Sequence, residues 1–190
     1  MTHGIVVAPV QDAAEAGAYA LRLGGNAVDA AIAAAFAEGV VNPLFCGLGG
    51  IGEVLIYDAE QKRVFDLDCS VVVPASFDPS LFADKRSERM EVLGSYVIEG
   101  GANRSGPLSV MTPGILKGLG VMFEQQFSSG KVPWDQLLLP AQKLAYQGFH
   151  LSPYVASVVF PVSLYTLIPS VPCPRPWPSR QRVWGVRCRC

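Results

Sequence analysis

The run Leu21-Arg22-Leu23-Gly24-Gly25-Asn26-Ala27-Val28-Asp29-Ala30-Ala31 constrains this chain more than any other stretch. It reads as the end of one helix, a two-glycine break and a capped start of a second. Gly24 and Gly25 reach positive φ without a Cβ clash, which suits a helix stop and a tight reversal. Asn26 is a strong N-cap residue. Asp29, three positions on, is a short version of the acid that completes a capping box. The helix expected from Asn26 to Val40 is mostly alanine, with Val28, Ile32 and Phe36 as its larger groups. A helix that is apolar on nearly every side belongs between other layers.

The rest of the chain alternates between strand and helix signals, which gives an α/β fold class. Gly4 to Ala8 reads as a short buried strand, and Asp12 to Leu23 as a helix capped by Asp12. Pro43 ends the alanine-rich helix and opens a loop through Gly47-Leu48-Gly49-Gly50-Ile51-Gly52. Glu53 to Tyr57 and Arg63 to Leu67 read as strands joined by the polar turn Asp58-Ala59-Glu60-Gln61. Phe77 to Gly106 reads as polar and irregular, with a short helix near Pro79 to Asp84. Pro113 suits the first turn of a helix running to Phe127. Pro133 opens another helix, Pro140 begins a further turn and Gly148 ends it.

With 190 residues, half of them hydrophobic and 16% charged, the chain is long and apolar enough for one globular core. A formal net charge of −1 gives no nucleic-acid signature. The apolar run Val155 to Val171 is broken by Pro161 and Pro169 and falls short of a membrane span. Met1 to Gly17 has no basic region before an apolar core, so as written the chain is expected to be cytoplasmic. Five cysteines match no zinc spacing and are expected to be free thiols.

The glycine cluster Gly47 to Gly52 invites a dinucleotide reading, but a phosphate fingerprint needs strand, glycine loop and then helix. The order here is helix, loop, strand, which points to close backbone approach at a sheet edge instead. Cys46 and Cys69 have only His3 and His150 as possible bases, and no spacing pairs them. Both cysteines are therefore expected to act as small buried hydrophobes, and both histidines as surface or packing residues. Glu38, Asp58 and Asp66 read as helix-end or turn acids. Val71, Val72 and Val73 read as strand core.

Five segments in register resemble the γ-glutamyltransferase family (γ-glutamyltranspeptidases, or glutathione hydrolases). These are Val6-Val7-Ala8, Gly24 to Ala31, Gly47 to Gly52, Ser109-Val110-Met111-Thr112-Pro113-Gly114 and Leu144-Ala145-Tyr146-Gln147-Gly148-Phe149. The resemblance implies an N-terminal nucleophile hydrolase with an αββα sandwich, incomplete in this chain. It also implies a precursor that cuts itself into a large and a small subunit. The new N-terminal threonine of the small subunit attacks the γ-glutamyl amide, with its own amine as base. No metal and no organic cofactor is implied. The implied partners are a small-molecule γ-glutamyl or other acyl-amide substrate, such as glutathione, and the small subunit, with neither nucleic acid nor membrane.

The same resemblance places Asp66 to Ala75 on the family's Asp-x-Arg-Glu-x-Ala-Pro pattern, where the arginine binds the α-carboxylate of the substrate. Setting Pro74 on the family proline puts Asp68 on the aspartate, Ser70 on the arginine and Val71 on the glutamate. Ser70 and Asp68 are thus the candidate substrate-binding residues. A serine hydroxyl offers one neutral donor in place of a charged fork. Arg63 and Arg104 are the candidates to replace the lost charge. None of Thr2, Thr112 and Thr166 lies in the family's cleavage context, so no catalytic residue is assigned. The expected organisation is the N-terminal part of the large subunit over residues 3–159 and a proline-, arginine- and cysteine-rich tail over 160–190. The tail is expected to be disordered or non-native, the alternative being a proline-rich interaction segment. The chain is expected to be a truncated family member that is inactive alone. The alternative is an inert fragment or a partner-dependent, non-catalytic subunit.

Overall fold

A computed structural model describes residues 4–83, 86–90, 96–125, 127–151, 155, 182–183 and 186–187. Its first layer is helical. Helix α1 spans Gln11–Arg22 and α2 spans Ala27–Val41, and between them lies the predicted reversal. Gly24 sits at φ +91°, where a side chain would be strained. Asn26 Oδ1 accepts from the N–H groups of Val28 and Asp29 at 2.9 and 3.0 Å. Asp29 Oδ2 accepts from the Asn26 N–H at 2.8 Å. The capping box is therefore complete.

Helix α1 starts one residue before the expected cap. Val10 is its N-cap and offers no side-chain bond, while Asp12 stands in the first turn. There its charge favours the positive end of the helix without capping it.

Small residues let the two helices close on each other. Ala13, Ala16 and Ala20 of α1 are buried with Ala33 and Ala37 of α2. A methyl placed on Gly17 would lie 2.7 Å from Val6 Cγ1 and 2.9 Å from the Ala30 carbonyl oxygen. Only a glycine accommodates the approach of α2 at that point. The alanine-rich helix is covered as its composition predicts, with Ala27 and Ala31 its exposed positions.

Two later helices, α4 (Ile115–Glu124) and α5 (Trp134–Gln147), cover the other side of α2. Trp134 packs edge-on against Phe36 and Phe123, with ring centroids 5.4 and 5.1 Å away. Ile32, Met122 and Leu137 are fully enclosed. Each contributes roughly 1.5–3 kcal/mol by leaving water. Pro140 lies inside α5 rather than starting a new turn. Its missing N–H costs one helical bond, and burial of Leu137 and Ala141 on either side offsets that cost.

Strands β1 (Gly52–Asp58) and β2 (Arg63–Cys69) form an antiparallel hairpin, with Gly52 opposite Cys69 and Asp58 opposite Arg63. Asp58 Oδ1 accepts from the N–H groups of Glu60 and Gln61, which closes the turn. The inner face carries Val54, Ile56 and Leu67 against the helical core. The outer face carries Leu55, Tyr57 and Val64, which are 70%, 65% and 62% exposed. Asp66 also faces outward from the middle of β2, so it is a strand acid rather than a turn acid.

The stretch expected to be irregular contains a short helix α3 (Ser80–Ala83) and a second antiparallel pair, β3 (Arg86–Met90) with β4 (Tyr96–Ile98). Arg86 lies over the Tyr96 ring at 4.4 Å. Gly4 to Ala8 forms no strand and has no ladder partner among the described residues. Ile5 and Val7 are 92% and 88% exposed, so this segment is not the buried strand expected. In the tail, β5 (Arg182–Val183) pairs with β6 (Val186–Arg187). The expectation that the tail is disordered otherwise falls on residues outside the described ones.

The architecture is α/β. One helical layer packs on one face of a small sheet, and among the described residues nothing covers the sheet's second face, where Leu55, Tyr57 and Val64 are exposed. That is the incomplete sandwich expected from the sequence.

Candidate active-site region

Three of the sequence motifs converge on the start of α4. The glycine loop that follows α2 ends at Gly52, and a methyl there would lie 2.5 Å from Ile115 Cδ1. At the end of β2, a methyl on Gly114 would collide with the carbonyl oxygens of Cys69 and Ser70. One helical turn on, Gly118 lies against the Cys69 side chain. Val72 and Thr112 then exchange backbone hydrogen bonds of 3.1 and 2.9 Å. Residues 69–72 and 112–114 thereby lie side by side.

Glycines at 114 and 118 share one helix face, and the sequence signal for this contact is their i, i+4 spacing. The motif Ser109 to Gly114 was recognised in the sequence, but the close approach that requires its glycine was not. The observed order α2, loop, β1 agrees with the exclusion of a dinucleotide loop.

Asp68 and Ser70 form one local unit. Asp68 Oδ1 accepts from the Ser70 N–H at 2.8 Å. The Ser70 hydroxyl and then this N–H hold the Asp68 carboxyl below the usual carboxylate range. Both side chains are exposed. Glu53 stands directly across the hairpin from Asp68, and Asp66 projects from the same outward face. The region therefore presents three acids, which repel an incoming carboxylate, and one neutral hydroxyl, which is engaged with Asp68.

The two candidate arginines stand in different elements. Arg63 stands at the opposite end of β2 from Asp68 and lies over the Phe65 ring at 5.4 Å. Arg104 belongs to the turn after β4, where its N–H donates to the Gly101 carbonyl.

The valines expected as strand core are not buried together. Val72 and Val73 are 59% and 52% exposed, because the ladder stops at Cys69 and Val72 makes a single bridge. Cys69 is buried as expected, but Cys46 is exposed, because the chain leaves α2 before reaching it. Partial desolvation of the Cys46 sulfur, in an otherwise exposed residue, pushes its thiol up, with the Glu38 carboxylate second. Burial likewise raises the Cys69 thiol, with Asp68 and then Asp66 adding to it. Neither thiol is activated as a nucleophile. His150 is exposed, while His3 lies outside the described residues.

Thr112 is joined to Met111, so its nitrogen is a peptide nitrogen and not an amine base, and that N–H donates to the Val72 carbonyl. Thr2 and Thr166 lie outside the described residues. Among the described residues no helix is long and apolar enough to cross a membrane.

A sequence profile described as gamma-glutamyltranspeptidase matches residues 13–161. Glutathione hydrolase 2 of Arabidopsis thaliana is 35% identical over 153 residues, which is 80% of this chain and 23% of that protein. The glutathione hydrolase proenzyme of Bacillus subtilis (strain 168) is 33% identical over 156 residues, 82% of this chain and 25% of the relative. The chain thus spans about a quarter of these relatives. Among solved structures, the gamma-glutamyltranspeptidase of Helicobacter pylori superposes with a TM-score of 0.70 at 28% identity. That superposition covers 88% of this chain and 44% of the other. A cephalosporin acylase from Bacillus halodurans superposes with a TM-score of 0.64 at 25% identity, covering 83% and 26%.

Proposed function

Since this chain belongs to the gamma-glutamyltranspeptidase family, we propose that it supplies the N-terminal part of the large subunit of an N-terminal nucleophile hydrolase. Completed by a small subunit, that protein transfers or hydrolyses an acyl group held in an amide, in the manner of a glutathione hydrolase. The observation that carries this reading is the convergence at Gly114, where the Asp68–Ser70 unit, the Ser109 to Gly114 segment and the end of the glycine loop meet. This chain contributes binding surface and shape. The attacking threonine, its amine base and the acyl-enzyme belong to the small subunit. Alone, the chain has binding groups without a nucleophile and is inert.

In this reading Ser70 retunes the substrate. A charged hydrogen bond to a carboxylate contributes about 1.5–3 kcal/mol. Its loss weakens binding of an α-carboxylate by roughly ten- to a hundredfold. The acidic face of Glu53, Asp66 and Asp68 acts in the same direction. Acyl groups that lack the α-carboxylate are therefore the favoured class.

The test is a chimera in which this chain replaces the matching quarter of the Bacillus subtilis proenzyme, checked for self-cleavage. A γ-glutamyl anilide is compared with its 4-aminobutyryl analogue, which lacks the α-carboxylate. Ser70→Arg should raise kcat/KM for the γ-glutamyl substrate relative to the 4-aminobutyryl one by roughly ten- to a hundredfold. An unmoved ratio would reject Ser70 as the residue that sets this preference.

A further inference from the structure

The outward face of the β1–β2 hairpin changes character along its length. One end is acidic, with Glu53 opposite Asp68 and then Asp66 opposite Leu55. The middle is apolar, with Leu55, Tyr57 and Val64 all exposed. At the turn end stands Lys62, also exposed. The other face of the same hairpin packs on the helical core through Val54, Ile56 and Leu67. A sheet face with bare apolar groups in its middle suits a second sheet packed about 10 Å away.

We propose that this face pairs with the same face of a second copy, across a two-fold axis that lies in the interface at right angles to the strands. Each hairpin then lies end over end on the other, and the dimer has the layer order helix, sheet, sheet, helix. The centre of the ladder is the pair Ile56 and Phe65. About that centre, Tyr57 comes over the partner's Leu55 and Lys62 comes over the partner's Asp68. The apolar middles meet, and each basic end meets an acidic end.

Charge selects this orientation. A two-fold axis parallel to the strands would also stack the hairpins face to face, but it would set Glu53 over the partner's Asp68. Acid would then meet acid across the gap, which excludes that arrangement. With the axis at right angles, Glu53 and Asp68 each lie about 20 Å along the strand from their own counterparts, six residues at ~3.4 Å each. Asp66 is offset from its counterpart by two residues and by the ~10 Å between sheets, about 12 Å in all. These separations exceed the screening length of about 8 Å at physiological salt.

The size of the face sets the strength of the pairing. It is about 20 Å long and 10 Å wide, roughly 200 Å² in projection, against about 800 Å² per partner in a stable interface. The dimer is therefore transient, with a Kd on the order of 100 μM. It requires neither a small subunit nor the activity proposed above.

The test is sedimentation equilibrium of the full chain from about 10 μM to about 1 mM. A reducing buffer keeps the exposed Cys46 thiols from linking copies. A monomer–dimer equilibrium is expected. Tyr57→Glu, at an exposed position, should leave the helical circular dichroism unchanged and weaken the dimer at least about tenfold. Lys62→Glu should weaken it roughly three- to tenfold. Adding Asp68→Lys to Lys62→Glu should restore the affinity, since the charges then meet in reversed order. Lys131→Glu, at an exposed position in the loop before α5, should change nothing. A monomer at every concentration, growth beyond the dimer, a dimer that Tyr57→Glu or Lys62→Glu leaves intact, or a reversed pair that does not restore it would overturn the proposal.

Discussion

Removing the carboxylate of Asp29 should unfasten two loops at once. Asp29 is fully buried and serves three donors. The Asn26 N–H donates to Oδ2 at 2.8 Å, the Ser129 N–H to Oδ2 at 3.2 Å and the Ser128 hydroxyl to Oδ1 at 2.6 Å. Asn26 Nδ2 also donates to the Phe127 carbonyl at 2.7 Å, so the α1–α2 junction and the loop before α5 share one network. In Asp29→Ala the Ser128 hydroxyl, being half-exposed, can turn to water. The two backbone N–H groups cannot follow it. At about 1–3 kcal/mol for each of the two donors left unpaired, the expected loss is roughly 2–6 kcal/mol. Ser128→Ala alone should cost about 1 kcal/mol. The two changes should not add, because they remove one shared interaction. Urea unfolding followed by helical circular dichroism measures all three variants. A loss below about 1 kcal/mol for Asp29→Ala, or strict additivity with Ser128→Ala, would refute the idea that this carboxylate ties the two loops together.

Two other changes probe the candidate site. Gly114→Ala meets two backbone carbonyls that cannot rotate away. It should cost about 1–3 kcal/mol and speed hydrogen exchange at Val72 and Thr112, whereas unchanged exchange would show that β2 and α4 can separate freely. Ser70→Ala removes the larger of the two bonds that hold the Asp68 carboxyl low, so the Asp68 titration should move up toward its ordinary value by NMR. The stabilisation tied to the lowered value is present at neutral pH and fades as pH falls through the Asp68 titration, so it should fade at higher pH in Ser70→Ala.

The helical layer was legible in the sequence because its signals are local. Gly24, Asn26 and Asp29 carry a helix stop and a capping box within a single turn of chain, and the structure forms both. The β1–β2 hairpin was legible for the same reason, from its alternation and its polar turn. What the residues did not show is set by distant contacts. The β3–β4 pair lies in a polar stretch with no alternation to mark it. Gly4 to Ala8 has the composition of a strand, but pairing depends on a neighbour. Pro140 stays inside α5 because the packing of Leu137 and Ala141 outweighs the lost backbone bond. At the candidate site the motifs were visible one by one. Their meeting at Gly114 depends on where β2 ends relative to α4, which sequence spacing does not encode.

The most direct measurement is γ-glutamyl anilide turnover by the purified, mass-verified chain alone, run beside the self-cleaved chimera that supplies a small subunit. The expected result is no turnover by the chain above a heat-treated control, and measurable turnover by the chimera. Turnover by the chain alone, or none by a folded and fully cleaved chimera, would contradict the assignment of this chain as binding surface that awaits its nucleophile.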